Sequence, residues 1–126
     1  IYSLNSPENI KKDIEINLDL LLHIKEITSK NNIKFVIVLI PAKEQVYNYK
    51  LKDKENNILN WIKPNEILID FGVKNNIYVI DLLPSFREYV NLNKTDIYFK
   101  IDPHWNKNGH FLAAQIINEE LPKYLD

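Results

Sequence analysis

The chain has 126 residues, of which 45% are hydrophobic and 26% are charged, and its formal net charge is -1 at pH 7. This length predicts a single domain with enough apolar residues for a core, and the near-zero charge disfavours nucleic acid and anionic membranes as partners. The absence of cysteine excludes disulfides and thiolate zinc sites, and the absence of methionine indicates a segment of a longer protein.

The first predicted element is an amphipathic helix from Pro7 to about Lys30. Ser6 before Pro7 is typical of a helix start. Polar residues recur every three or four positions along one stripe and apolar residues fill the other side, which predicts a well buried helix. His23 lies in the polar stripe and is therefore predicted to be a solvated surface histidine.

Two apolar runs predict strands. "IKFVIVLI", Ile33 to Ile40, has no alternation, which is typical of a strand covered on both faces in a parallel sheet. After a polar loop at 48–57, "ILNWI" (Ile58 to Ile62) and "PNEILIDFG" (Pro64 to Gly72) predict short helices, and "IYVIDLL" (Ile77 to Leu83) predicts the second strand. Strand, helix and strand at this spacing predict a crossover in an α/β sheet.

Three more elements complete the prediction. Ser85 to Val90 is expected to form a helical turn, and Asp96 to Asp102 a short strand. Lys107 to about Leu125 is expected to form the last helix, with Asn106 as its N-cap.

Polar clusters follow the predicted strands, where ligands of such sheets bind. "PAKEQVY" (Pro41 to Tyr47) and "DLLPSF" (Asp81 to Phe86) have plain structural interpretations, as a strand end with a helix start and as a capped turn. The third cluster, "KIDPHWNKNGHF" (Lys100 to Phe111), is richer in chemistry.

The third cluster contains a candidate acid and base. A histidine that takes a proton from a hydroxyl needs a carboxylate to hold its tautomer, and Asp102 reaches Nδ1 of His104 if the loop between them curls. Pro103 keeps the segment out of the helix. Trp105 is expected to wall the imidazole from water, and Gly109 to let the last helix approach closely.

Two other interpretations stay open for this cluster. A capping aspartate beside a packed histidine fits the local pattern as well. Asp102, His104 and His110 could bind a divalent metal, but His110 lies at a different helical angle and is expected to be a partly buried packing residue. No metal or other cofactor is therefore expected.

The segment "DIYFKIDPHWNKNGHFLAAQIINEEL" (Asp96 to Leu121) resembles the C-terminal block of the SGNH (GDSL-like) hydrolase and O-acyltransferase superfamily. "FVIVLIPAKEQVY" and "IYVIDLLPSF" are similar to its preceding strand-plus-loop segments, including those of the alginate O-acetylation branch, so the resemblance spans roughly Lys34 to Leu121. It implies a flavodoxin-like three-layer α/β/α fold with a parallel sheet, present over residues 1–126 as part of one SGNH domain. It also implies a Ser-His-Asp triad in which Asp102 is the acid and His104 the base.

The family's nucleophile turn is absent from this chain. None of its four serines, Ser3, Ser6, Ser29 and Ser85, stands in a Gly-Asp-Ser-type turn after a strand, and the family's oxyanion-hole Gly and Asn blocks are not identifiable. We therefore expect the serine to lie outside the segment. An upstream serine, as in most SGNH enzymes, fits a chain that ends on a helix better than the downstream serine of the alginate-acetylation type.

The resemblance implies a serine-dependent hydrolase of carbohydrate or small-molecule O-acyl esters. The alternatives are a carbohydrate O-acetyltransferase of the alginate-acetylation type and an inactive SGNH module that binds a glycan or acts as a scaffold. Lys43, Tyr47 and Trp105 are the candidate substrate-binding residues. The rest of the parent chain or a second copy is expected to complete the sheet, and the family favours a location outside the cytoplasm.

Overall fold

A computed structural model describes residues 8–47 and 62–125 of the chain. In chain order its elements are α1 (Glu8–Lys30), β1 (Val36–Leu39), α2 (Lys43–Val46), α3 (Lys63–Asn75), β2 (Tyr78–Asp81), α4 (Leu83–Asn93) and α5 (Lys107–Leu125). The strands β1 and β2 are neighbours in a parallel sheet, which has two strands in the part of the chain described. The predicted loop at 48–57 and all but the last residue of the predicted helix Ile58 to Ile62 lie outside the described residues.

Helices α1, α3 and α4 are each followed by an asparagine or a lysine in the left-handed region. Asn32 after α1 has φ 56°, Asn76 after α3 has φ 52° and Lys94 after α4 has φ 52°. Asparagine adopts this conformation more readily than most residues, so it ends a helix at low cost. The reversal after α3 is closed by the Ile77 N–H, which donates to the Gly72 carbonyl at 2.9 Å.

The chain divides into two compact units, and the first comprises Ile1–Ile37 with Lys50–Val79. In its described part, α1 and α3 contribute the walls of an apolar cavity of about 150 Å³, lined by Ile14, Asn17, Leu18, Leu21, Pro64, Ile67 and Leu68. Phe71 and Ile77 are buried in the same unit. The helix predicted at Pro64 to Gly72 is confirmed as α3, which continues to Asn75.

The prediction that the first helix is well buried is wrong, although its span is confirmed. Ile16, Leu20, Ile24 and Ile27 are 44–62% exposed. These residues recur every three or four positions, so they form a second apolar stripe at a different angle from the one that lines the cavity. Within the described part of α1, the partly covered residues lie on the side of the helix that includes the cavity lining: Ile14, Leu18, Leu21, Leu22, Lys25 and Thr28. His23 is exposed, as predicted.

Both predicted strands are confirmed but are shorter than the apolar runs that predicted them. Ile33 and Ile40, the ends of the first run, are 59% and 68% exposed, so coverage on both faces is wrong for the whole run. The second run splits because Leu83 already begins α4. The helical turn predicted at Ser85 to Val90 is therefore part of an 11-residue helix.

The second unit comprises Val38–Tyr49 and Ile80–Asp126. Its core contains Leu82, Phe86 and Ile97, which are fully buried. Ile97 belongs to the segment between α4 and α5, and its burial anchors that segment in the core. The polar clusters singled out by their sequence all fall in this unit.

The strand predicted at Asp96 to Asp102 is wrong. In its place the structure has an isolated antiparallel bridge between Tyr98 and Trp105. The Phe99 N–H donates to the His104 carbonyl at 3.1 Å, and the Asn106 N–H donates to the Ile97 carbonyl at 3.0 Å. The chain therefore pairs with itself in a short hairpin, whose loop is 100–103, instead of adding a strand to the sheet.

Candidate catalytic site

Asp102 lies in the loop of this hairpin and His104 in the residue pair that closes it, and the two side chains are in contact. One carboxylate oxygen of Asp102, Oδ1, accepts the His104 main-chain N–H at 2.7 Å and also contacts Nδ1 of the His104 ring. The loop curls as the sequence analysis required, because an aspartate readily accepts the N–H two residues on. A neutral imidazole that donates from Nδ1 keeps Nε2 as its free acceptor.

The ring of His104 faces solvent. Its side chain is 81% exposed and that of Asp102 is 54% exposed. The expectation that Trp105 walls the His104 imidazole from water is therefore wrong for the described residues. Trp105 packs instead against Phe86, with ring centroids 5.3 Å apart. The reason is the hairpin register, since neighbouring residues of a strand point to opposite faces. Trp105 turns inward with Tyr98, and His104 turns outward.

The last helix begins directly behind the hairpin. Asn106 caps α5, as predicted, because its Oδ1 accepts the Asn108 N–H at 2.8 Å and the Gly109 N–H at 3.2 Å. Its side-chain amide also donates to the Asp96 carbonyl at 2.8 Å. A Cβ on Gly109 would collide with the Ile97 carbonyl oxygen and lie 3.0 Å from the Trp105 Cβ. The predicted close approach at Gly109 is therefore confirmed.

His110 does not join the acid and base. Its ring packs edge-on against Trp105 at 5.5 Å between centroids, and the residue is exposed, so the partial burial expected for it is wrong. No group of three or more His, Asp or Glu side chains that could hold a metal ion occurs within residues 8–47 and 62–125. The metal-binding alternative has no support from this geometry.

The segment around α2 brings two other predicted residues to the hairpin. Lys43 Nζ donates to the Phe99 carbonyl at 2.7 Å and to the Lys100 carbonyl at 2.8 Å. Tyr47 accepts the Ile97 N–H on its hydroxyl at 3.1 Å. Burial raises the pKa of Tyr47 above its ordinary value. Both side chains contact the backbone that leads to Asp102.

The residues that anchor α2 were not among those predicted from the sequence. Gln45 is buried, and its side chain accepts the Ala42 N–H at 2.7 Å. Arg87 of α4 donates to the Gln45 carbonyl at 2.9 Å. Tyr98 donates from its buried hydroxyl to the Pro41 carbonyl at 2.6 Å, and burial raises the pKa of Tyr98 to about 12. The Arg87–Gln45 and Tyr98–Pro41 hydrogen bonds are long-range, so no local pattern could have indicated them, whereas the Gln45–Ala42 contact is local to the start of α2.

Asp102 is expected to ionise at a lower pH than an ordinary aspartate. The hydrogen bond from the His104 N–H lowers the pKa of Asp102 below 3.8, helped by the contact with the His104 ring and by the charge of Lys43. Since the folded pKa lies below the unfolded one, the contact stabilises the fold above about pH 3.8 and loses this effect as the pH falls through the folded pKa. A carboxyl carbon NMR titration should give a midpoint below 3.8.

The variant His104→Ala separates the two causes in the same titration. It removes the ring but keeps the main-chain N–H, so the midpoint should rise only part of the way to the ordinary value of 3.8. A midpoint at or above that value in the unaltered protein would show that the hydrogen bonds to Asp102 do not persist in solution.

A serine nucleophile was expected outside the segment, and the serine described in this unit, Ser85, does not provide one. Ser85 lies in the first turn of α4 and makes no hydrogen bond with His104 in the part of the chain described. Ser3 and Ser6 lie outside the described residues. In the part of the chain described, the site is thus the exposed Asp102–His104 pair, with no serine hydrogen-bonded to His104.

Comparison with known protein families gives a match over nearly the whole chain. Residues 3–125 match the family described as SGNH hydrolase-like domain, acetyltransferase AlgX. No curated protein and no solved structure matches the chain significantly. Within the described residues, no helix combines the length and the apolar character that a membrane crossing requires. The family match confirms the resemblance and the α/β fold class predicted from the sequence.

Proposed function

Because the chain belongs to the SGNH hydrolase-like family of the acetyltransferase AlgX type, we propose that it supplies the acid and base of a serine-dependent acyl transfer. Membership supports the esterase and acyltransferase class as a whole. The proposal adds the roles of Asp102 and His104, the serine from outside residues 1–126, and a carbohydrate hydroxyl as the acceptor.

The observation that carries the proposal is the contact between Asp102 Oδ1 and His104 Nδ1. A carboxylate at Nδ1 fixes the tautomer of the ring and stabilises the imidazolium that forms when Nε2 takes a proton. A ring that is 81% exposed leaves Nε2 accessible to a serine hydroxyl brought by another segment. A packed structural histidine would instead be buried, so the exposure argues against that alternative.

The proposed reaction has two steps. His104 Nε2 takes the proton of the serine hydroxyl while the serine oxygen attacks the carbonyl carbon of the acyl donor. The leaving alcohol takes that proton, and an acyl-serine remains. An acceptor hydroxyl then loses its proton to Nε2, and its oxygen attacks the acyl-serine. The acyl group moves to the acceptor, and Nε2 returns the proton to the serine oxygen. Asp102 stays ionised throughout and orients the ring.

The acceptor decides between the two forms of this function. Water as acceptor makes the protein an esterase, which was the first expectation from the sequence. A sugar hydroxyl makes it an O-acetyltransferase, and the family description, which names an acetyltransferase, favours this form. Tyr47 and Trp105 lie in the same unit as Asp102 and His104, which keeps them as candidate contacts to the acyl or sugar group.

The proposal includes the domain around the site. Residues 1–126 would form part of one SGNH domain, and the rest of a longer chain or a second copy would add strands to the sheet. A two-stranded sheet is marginally stable by itself, and unpaired strand edges are ready to accept another strand. The same addition would bring the serine to His104.

The experiment is to treat the full-length protein with a fluorophosphonate probe and to locate the modified residue by peptide mass spectrometry. We expect one serine outside residues 1–126 to be labelled. The position of the labelled peptide shows whether the serine lies before or after the segment. Incubation with p-nitrophenyl acetate, with and without an oligosaccharide, then separates release of acetate from formation of an acetylated sugar.

Two results would contradict the proposal. A folded protein that shows no labelling and no release of p-nitrophenol would leave the inactive, glycan-binding module as the better interpretation. Labelling that proceeds at the same rate when His104 is replaced would show that another base activates the serine.

A further inference from the structure

The hairpin that carries Asp102 and His104 is held from one side by the segment 41–47. Several hydrogen bonds connect the two. Among them are those from the Tyr98 hydroxyl to the Pro41 carbonyl at 2.6 Å, from the Ile97 N–H to the Tyr47 hydroxyl at 3.1 Å, and from Lys43 Nζ to the carbonyls of Phe99 and Lys100 at 2.7 and 2.8 Å. The contacts made by Lys43 lie nearest to Asp102 along the chain. They hold the hairpin at the point where its strand becomes the loop 100–103.

Lys43 lies in a segment whose backbone is held by burial and hydrogen bonds. It begins α2, a helix of four residues, and the next turn of the chain is buried at Gln45 and Val46. Gln45 is tied to Ala42 by its side chain and to Arg87 by its carbonyl. Lys43 therefore projects from this segment towards the loop 100–103, whose residues are exposed.

The chemistry of the Lys43 contacts suits a positioning role. An ammonium group has three N–H donors and no acceptor, and the structure assigns hydrogen bonds from Lys43 to two successive main-chain carbonyls. Two adjacent carbonyls that converge on one cation fix the peptide between them. The charge also lies close enough to Asp102 to favour its ionised form.

We infer that Lys43 is a positioning residue for the Asp102–His104 pair, acting through the carbonyls of Phe99 and Lys100 instead of binding substrate. The inference rests on the proposed function for its catalytic consequence. A displacement of about 1 Å in a catalytic group can cost on the order of 100-fold in rate. Loss of the two hydrogen bonds should therefore lower the rate of the chemical step without weakening substrate binding.

The test compares three variants of the full-length protein with p-nitrophenyl acetate as substrate. Lys43→Met should lower kcat about 10-fold to 100-fold with KM nearly unchanged. Lys43→Arg keeps donors that reach both carbonyls and should restore most of the rate. Lys107→Met removes the same charge from an exposed position in the same unit and should leave both constants unchanged.

A second measurement does not depend on activity. In the unaltered protein the His104 N–H is bonded to Asp102 Oδ1 and the Phe99 N–H to the His104 carbonyl. If Lys43 holds this hairpin, both N–H groups should exchange with deuterium several-fold faster in Lys43→Met, while the thermal unfolding of the variant confirms that it is folded.

The outcomes separate the positioning role from the proposed function. A rise in KM with unchanged kcat in Lys43→Met would make Lys43 a substrate ligand and overturn the inference. Unchanged exchange of both N–H groups would also overturn it. If the unaltered protein neither labels nor turns over, the proposed function fails, and faster exchange in Lys43→Met still establishes that Lys43 holds the loop.

Discussion

Replacing His104 with alanine is expected to slow labelling of the serine by fluorophosphonate about 10²-fold to 10⁴-fold, the usual contribution of a general base. The variant removes the ring that would take the serine proton but keeps the main-chain N–H that Asp102 accepts at 2.7 Å. The loop should therefore keep its curl. The measurement is the second-order rate constant for labelling, made on protein whose thermal unfolding is unchanged.

Two further variants make this result specific. Asp102→Asn keeps the shape of the acid but removes its charge, so a loss of comparable size is expected, and the double variant should lose little more than either single one. His23→Ala is the matched control, because His23 is an exposed histidine outside the candidate site. Equal rates for His104→Ala and His23→Ala would remove the base from the mechanism.

Replacing Gly109 with alanine is expected to destabilise the protein by about 1–3 kcal/mol, the usual cost of forcing extra atoms into a packed site. A Cβ there would meet the Ile97 carbonyl oxygen and the Trp105 side chain. The carbonyl is fixed because it already accepts the Asn106 N–H at 3.0 Å. Equilibrium unfolding in urea measures the change, and Gly109→Val should cost more because its side chain is larger.

The sign of this effect is informative because helix propensity acts in the opposite direction. Alanine in a helix is favoured over glycine by about 1 kcal/mol, so a stabilised Gly109→Ala variant would mean that α5 does not approach the hairpin as described. Ala114→Gly, at an exposed position of the same helix, measures the propensity term by itself. It should lose about 1 kcal/mol.

Helices α1, α3 and α5 and both strands of the sheet could be predicted because their signals are local. Apolar periodicity and the asparagine pairs after α1 and before β2 mark the elements with no reference to the rest of the chain. The same local reasoning failed at Asp96 to Asp102, where the apolar residues of "DIYFKID" predicted a strand. Their partners are Trp105 and the core of the second unit, and a hairpin that pairs with itself leaves no distinct periodic pattern.

The candidate site was predictable to a different degree in each of its parts. Asp102, His104 and the cap at Asn106 follow from residue types at short spacing. The environment of the ring did not follow, because the direction of Trp105 depends on the register of the hairpin. The contacts of Lys43 with Phe99 and Lys100 span more than fifty positions of sequence, so no pattern in either segment indicates them.

The hairpin also bears on how the site assembles during folding. Its closing hydrogen bond joins Phe99 and His104, and the acid and base are two positions apart. Because the entropy lost on closing a loop grows with loop length, contacts of such low sequence separation are among the least costly to form, and hairpins close in about 1–10 µs. Pairing β1 with β2 must instead close a chain of nearly forty residues. The orientation of the His104 ring therefore depends on contacts of low sequence separation, whereas the pairing of β1 with β2 belongs to the slower, non-local part of folding.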